Sequence, residues 1–210
     1  VEQLSALLNL VGNDNAQGEY YLPDALGLAQ QQGMAVAVAV TDDPLEMYGI
    51  NDRLQLQTLE RALQCRRADT LMSAGVAVAD RQRIDIRGEL ACGTDVEIDI
   101  NVVFEGQVSL GDGVSVGAHC VLKDVVIGSG TDIQPFCHIE GAVVGERCHI
   151  GTYARLRPGS IISETAKGGN FVETQKTTLG VGSKANHLAY RGDTHVGAQG
   201  KIGTGPFTGN

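Results

Sequence analysis

VEIDINVVFEGQVSLGDGVSVGAHCVLKDVVI, residues 96–127, carries an apolar side chain at every sixth position: Ile98, Phe104, Leu110, Val116 and Leu122. The register then slips by one residue, resumes at Ile127, Ile133 and Ile139, slips again, and runs on through Val144, Ile150, Leu156 and Ile162. Two residues before each lies a second row: Val96, Val102, Val108, Val114, Cys120, Val125, Thr131, Cys137, Ala142, Cys148, Ala154 and Ser160. Every member of that row is small or β-branched. A six-residue period matches neither the 3.6 of a helix nor the 2 of a continuous strand. It matches short strands joined by turns, three hexads to a coil, with both rows pointing into a narrow interior. Leu-Gly at 110, Ile-Gly at 127 and Val-Gly at 144 stand 17 residues apart, as do Leu-Gly at 179 and Val-Gly at 196. Coils of that length stack at about 4.8 Å with their strands parallel.

Composition fits a narrow interior. Twenty-eight glycines, four phenylalanines and no tryptophan in 210 residues leave small and branched side chains to fill the core. A formal net charge of -9 argues against nucleic acid or an anionic membrane as partner. Between Gly151 and Lys201, however, Arg155, Arg157, Lys167, Lys176, Lys184, Arg191 and Lys201 outnumber Glu164, Glu173 and Asp193, so a small anionic ligand or an ordinary solvated face is expected there. No apolar run reaches the ~20 residues of a membrane span and no secretory leader opens the chain, which reads as soluble and cytoplasmic. Cys65, Cys92, Cys120, Cys137 and Cys148 are odd in number and contain no CxxC pair, so neither a full disulfide framework nor a zinc site is indicated. The last three take the small inward position, which assigns them to packing.

The first eighty residues are of another kind. AVAVAV at 35–40 reads as a strand. NDRLQLQTLERALQCRRADTLM, residues 51–72, reads as a helix joining two domains, with Leu56, Leu59 and Leu63 on one face and Gly75 as its stop. Near KANHLAY at 184–190 the hexad rhythm is lost around His187, as expected of a coil that turns side chains outward to a ligand.

GNDNAQGEYYLPDALGLAQQQG, GINDRLQL, ARLRPG, GNFVE and SKANHLAYRGD, in this order and ahead of or within hexapeptide repeats, resemble one family over the whole chain. It is the bacterial bifunctional N-acetylglucosamine-1-phosphate uridyltransferase / glucosamine-1-phosphate acetyltransferase family. The resemblance implies a mainly β protein. A left-handed parallel β-helix over residues 79–210 follows a linker helix at 51–78 and the tail of a Rossmann-like nucleotidyltransferase domain at 1–50, the family pattern being cut at both ends. The left hand comes from the resemblance, since it opposes the usual crossover rule.

The resemblance also implies roles. His187 would be the general base that takes a proton from the amine of glucosamine-1-phosphate as it attacks acetyl-CoA. Arg157 would bind the sugar phosphate and Tyr190 the sugar. Gln175, beside Lys176, stands where the family has a phosphate-contacting lysine, and Lys201 where it has a substrate asparagine. Thr204 and Asn210 align with acetyl-CoA contacts, in a GTGPFTGN run that departs from the family's GAGTITCN. Tyr21 aligns near the nucleotide sugar. Asn51 aligns with a ligand of Mg²⁺, an ion that one amide cannot hold, and the other reading of Asn51 is a cap for the helix. The implied partners are sugar phosphates and nucleotide sugars, with neither nucleic acid nor membrane, in a homotrimer. Two further readings share the coils: another hexapeptide-repeat acyltransferase, which does not need GEYY or GIND, and a non-catalytic oligomerisation scaffold, which the departures at Gln175 and Lys201 keep open.

Overall fold

The computed structural model describes residues 2–205 and 207–208. They divide into two units, Val1–Gly49 and Ile50–Asn210.

The second unit is a parallel β-solenoid of the hexapeptide type, as the repeat predicts. All twenty-four residues of the two inward rows are buried, none more than 4 % exposed. One face is an 8-stranded parallel sheet from Ala77–Val78 to Lys201–Ile202. The other two faces share long strands at the start, where Ile84–Cys92 and Val102–Leu110 run around a corner without interruption. That corner bends at Gly88 (φ +154°) over Gly106 (φ +66°), and a Cβ on Gly88 would meet the Gly106 backbone, 2.7 Å from its nitrogen. The one-residue slip in the repeat lies there too. Glu105 pairs with Lys123, 18 residues on, but Val108 pairs with Val125, 17 on, so the residue is lost between them.

A second corner is built from non-glycine residues held at positive φ: Asn101, His119, Phe136, Tyr153, Phe171 and Leu188, all between +54° and +64°. Such backbone costs ~1–2 kcal/mol per residue. Each is held by an N–H bonded to the coil before, for example Phe136 N to Ala118 O at 2.9 Å and Leu188 N to Asn170 O at 3.1 Å. The rings stack outside: His119 on Phe136, Phe136 on Tyr153 and Tyr153 on Phe171, with centroids 4.8, 5.0 and 5.1 Å apart. That spacing is the coil repeat itself.

The rhythm does not break at KANHLAY. Lys167 pairs with Lys184 and Lys184 with Lys201, the same 17-residue register as before. What changes is the inward residue, which becomes Gly168, Thr174, Ala185 and Arg191 and so no longer reads as a hexad. Arg191, 2 % exposed, stands in register with Thr174. Burial lowers its pKa from the ordinary arginine value.

The helix before the solenoid, α3 (Arg53–Ser73), is as long as expected, and ends at Gly75 (φ +96°) with Val76 N reaching back to Leu71 O at 3.0 Å. Its cap is Asp52, whose carboxylate accepts from Gln55 N at 2.7 Å, and not Asn51. The leucine face is also not the buried one: Leu56 and Leu63 are exposed, while Gln64 and Ala68 are buried. The reason is the solenoid's first edge. Gln64 donates to Ile86 O (3.0 Å) and accepts from Ile86 N (2.7 Å), Arg61 donates to Gln82 O and Ile84 O, and Arg67 donates to Ile86 O. α3 is therefore a cap that satisfies an open strand edge, which a hydrophobic face cannot do.

The first unit holds two short helices, α1 (Glu2–Leu8) and α2 (Asp24–Gln31), a 3₁₀ turn at Pro44–Met47, and a small core of Leu7, Val11, Ala25 and Ala29. The AVAVAV stretch forms no strand. Val38 and Val40 are 82 % and 84 % exposed, because among the described residues of this unit there is no strand for it to pair with.

Candidate functional site

His187 lies on the stacked corner, immediately before Leu188, and is exposed. Its Nδ1 accepts from the Asn170 N–H at 3.3 Å, one coil earlier. In the neutral ring this bond keeps the proton on Nε2. For Nε2 to accept a proton the ring must turn over and carry its own proton on Nδ1, a change that gives up one long hydrogen bond.

From that corner the chain runs onto the face formed by Arg155–Leu156, Val172–Gln175 and Ala189–Gly192. Side chains alternate along these strands, so Arg155, Glu173 and Tyr190 form one outward column, in register. Arg157 and Gln175 stand at the far end of the same face. Arg157 Nη1 donates to Glu173 Oε1 at 3.4 Å, Arg155 Nη1 lies 3.9 Å from the same oxygen, and Tyr190 Oη donates to Gln175 Oε1 at 3.3 Å. Glu173 thus holds two arginines in place and leaves them with more than one carboxylate can neutralise. Lys176 follows at the next corner, exposed, at φ +46°, with its stem beside Gly159.

Arg157, Gln175 and Tyr190 therefore stand on one face over three neighbouring coils, and His187 on the corner from which that face starts. Thr204 joins them, 17 residues past His187 on the same corner, where Gly205 N bonds back to Leu188 O. Lys201 is not on this face. It lies on the 8-stranded face, in one column with Lys184. Tyr21 belongs to the first unit, its Oη bonded to Gln17 Oε1 at 3.1 Å. Asn51 offers its backbone N–H to Gln55 Oε1 at 2.7 Å. Beside it the only carboxylate next in sequence, Asp52, is already taken by Gln55 N, and among the described residues no three His, Cys, Asp or Glu side chains converge as metal ligands. These residues do not fit Mg²⁺. Asn210 lies outside the described residues.

Two participants escaped the sequence reading. Glu173 had a signal, since it falls in the outward register with Arg155 and Tyr190. The Asn170 N–H had none, because a backbone donor is invisible in sequence. The cysteines stay out of the chemistry. Cys120 Sγ donates to Gln134 O (3.2 Å) and Cys137 Sγ to Gly151 O (3.0 Å). The contact with Cys120 and burial push the Cys137 thiol up, and burial alone pushes Cys92 up to about 11.

Over 208 residues, 99 % of its length, the chain is 54 % identical to the bifunctional protein GlmU of Chromobacterium violaceum and 49 % identical to that of Burkholderia thailandensis. The chain is similar to GlmU proteins over nearly all of its own length. It spans about half the length of the curated relatives it matches, 46 % of each of these two GlmU proteins. Residues 86–181 match the model of the GMPPB C-terminal domain. Among solved structures, AntD, an N-acyltransferase from Bacillus cereus in complex with dTDP and coenzyme A, is similar over 52 % of this chain and 78 % of its own, at a TM-score of 0.46 and 13 % identity. The GlmU relationship covers the candidate site in full, from Arg157 to Thr204. No helix among the described residues is long and apolar enough to cross a membrane.

Proposed function

We propose that this chain carries the acetyl-acceptor site of a glucosamine-1-phosphate N-acetyltransferase, with acetyl-CoA as donor. The observation that supports the reading is the register that puts Arg157, Gln175 and Tyr190 on one face, with His187 and Thr204 on the corner that leads into it. In this reading the Arg157 guanidinium, steadied by Glu173, binds the sugar phosphate, and Tyr190 with Gln175 orients the ring. His187, once turned from Asn170, takes the proton from the amine as its nitrogen attacks the thioester carbonyl. The carbon–sulfur bond then breaks, the proton held by His187 passes to the departing sulfur, and coenzyme A leaves as the thiol. Thr204 faces the donor side.

A GlmU protein is named bifunctional, and the second activity in this reading is uridyl transfer from UTP to N-acetylglucosamine-1-phosphate. Tyr21 and Asn51 do not make a site for it by themselves, so the uridyl half rests on the relationship alone. The same relationship supports a cytoplasmic homotrimer. The exposed ladder of His119, Phe136, Tyr153 and Phe171 offers a second copy an apolar seam beside the His187 corner.

The test is mass-spectrometric detection of N-acetylglucosamine-1-phosphate after incubation with acetyl-CoA and glucosamine-1-phosphate. Product is expected from the chain, and at least ~100-fold less from His187→Ala. Equal product from both would remove His187 from the chemistry. No product from either, with the fold intact by circular dichroism, would favour the scaffold reading.

A further inference from the structure

The 8-stranded face carries one outward residue per coil in strict register: Ala77, Glu97, Ser115, Asp132, His149, Lys167, Lys184 and Lys201. Its sign reverses along the solenoid. The acidic half ends in a closed pair, His149 Nδ1 to Asp132 Oδ2 at 2.9 Å. Beyond it come three lysines on consecutive coils, all exposed, and none has an ion-pair partner among the described residues. The nearby Glu164 is bonded to Arg147. Neighbouring strands place these lysines about 4.8 Å apart, where like charges repel. Folding does not require them, because the same column accepts Glu97, Ser115 and Asp132 in earlier coils. In a chain of net charge -9 a row of three uncompensated ammonium groups calls for a ligand.

We propose that Lys167, Lys184 and Lys201 form a binding site for an oligophosphate, a ligand with two or more phosphates in a row. A single phosphate can meet all three lysines only by drawing their ammonium groups together against their mutual repulsion, whereas a linear run of phosphates has the repeat to give each lysine its own partner. Lysine suits this role as a mobile point charge that needs no fixed angle. The row is one corner away from His187, and Lys184 precedes it by three residues. Two sources share the chemistry: the phosphates of a coenzyme A donor, and a separate nucleotide or inorganic oligophosphate. The site does not depend on the acetyl-transfer reading, since it requires only the lysine row.

Isothermal titration calorimetry with inorganic tripolyphosphate, orthophosphate and coenzyme A tests it. Tripolyphosphate should bind the chain at least about tenfold more tightly than orthophosphate, and Lys184→Gln should weaken it about tenfold. Arg155→Gln, on another face, and His187→Ala should bind tripolyphosphate like the parent, so loss of acetyl transfer and loss of this site are separate results. Coenzyme A weakened in parallel by Lys184→Gln would identify the donor's phosphates as the ligand. Coenzyme A unaffected, with tripolyphosphate weakened, would identify a separate oligophosphate. Equal affinity for tripolyphosphate and orthophosphate, or a Lys184→Gln variant that binds tripolyphosphate unchanged, would overturn the proposal. So would a variant that alters only the sedimentation of the protein, since the face would then be an interface between copies.

Discussion

Gly128 and Gly197 are alike in sequence, each following an inward branched residue at a coil's edge, yet the structure treats them differently. A Cβ on Gly128 would lie 2.5 Å from the Gly145 carbonyl carbon and 2.6 Å from the Glu146 nitrogen, atoms of the next coil's backbone. Those atoms cannot retreat, because Gly128 N is bonded to Val144 O at 2.7 Å and the coil spacing is set by every other bond in the ladder. A Cβ on Gly197 would meet nothing within 4 Å, and its φ is not positive. Gly128→Ala should therefore cost about 1–3 kcal/mol as overpacking does, while Gly197→Ala should be neutral or stabilise by a few tenths to about 1 kcal/mol. Urea midpoints at constant slope measure both. Equal midpoints for the two variants would show that the coils can part locally at little cost.

The cap helix makes the same point about hydrogen bonding one level up. Gln64 satisfies both the N–H and the C=O of Ile86 on the open edge of strand Ile84–Cys92. Gln64→Leu keeps the volume and leaves the Ile86 N–H without its acceptor, while Ile86 O keeps the Arg67 guanidinium as donor, so it should destabilise the solenoid by about 1–3 kcal/mol, the cost of one orphaned buried group. Gln64→Glu, which keeps the acceptor for Ile86 N, should lose less near pH 4 than near pH 7, where a buried carboxylate is charged. A leucine variant as stable as the parent would mean that the edge needs no cap. The sequence could not have pointed to Gln64. A 3.6-residue count of apolar positions selects Leu56, Leu59 and Leu63, whereas the edge needs an amide and a small neighbour, Ala68. The coils from residue 96 to 162 were legible for the opposite reason, since their inward rows use only apolar or small residues. Past Ile162 the inward positions pass to Gly168, Thr174, Ala185 and Arg191, and only pairing shows that the register continues. In the site, Arg157, Tyr190 and His187 were legible through motifs. The orientation of the His187 ring was not, because the Asn170 backbone sets it, and neither was the face that carries Lys201, because an aligned position does not show which face a coil presents.

At the scale of the molecule the two units differ most in what each can bury. The solenoid stacks two continuous inward rows and has a satisfied first edge, so each coil is stabilised by its neighbours. Residues 1–49 bury Leu7, Val11, Ala25 and Ala29, with Leu28 and Met34 partly covered. The two larger side chains contribute about 1.5–3 kcal/mol each and the alanines less, while ordering each backbone residue costs about 1–2 kcal/mol. Hydrogen bonds in two short helices, at a net ~1 kcal/mol each, do not close that gap for the irregular segments between them. Unfolding should therefore occur in two stages, with residues 2–49 losing structure at low denaturant and the solenoid at high. Native-state hydrogen exchange separates the two: amides of α1 and α2 should exchange with little protection, and those of Ile133, Ile139 and Ile150, fully buried mid-solenoid, should exchange last. One cooperative transition with equal protection in both units would show that the first unit draws stability from outside its own core. Two stages would make the candidate site independent of residues 1–49, because every member of it from Arg157 to Thr204 stands on the more stable unit.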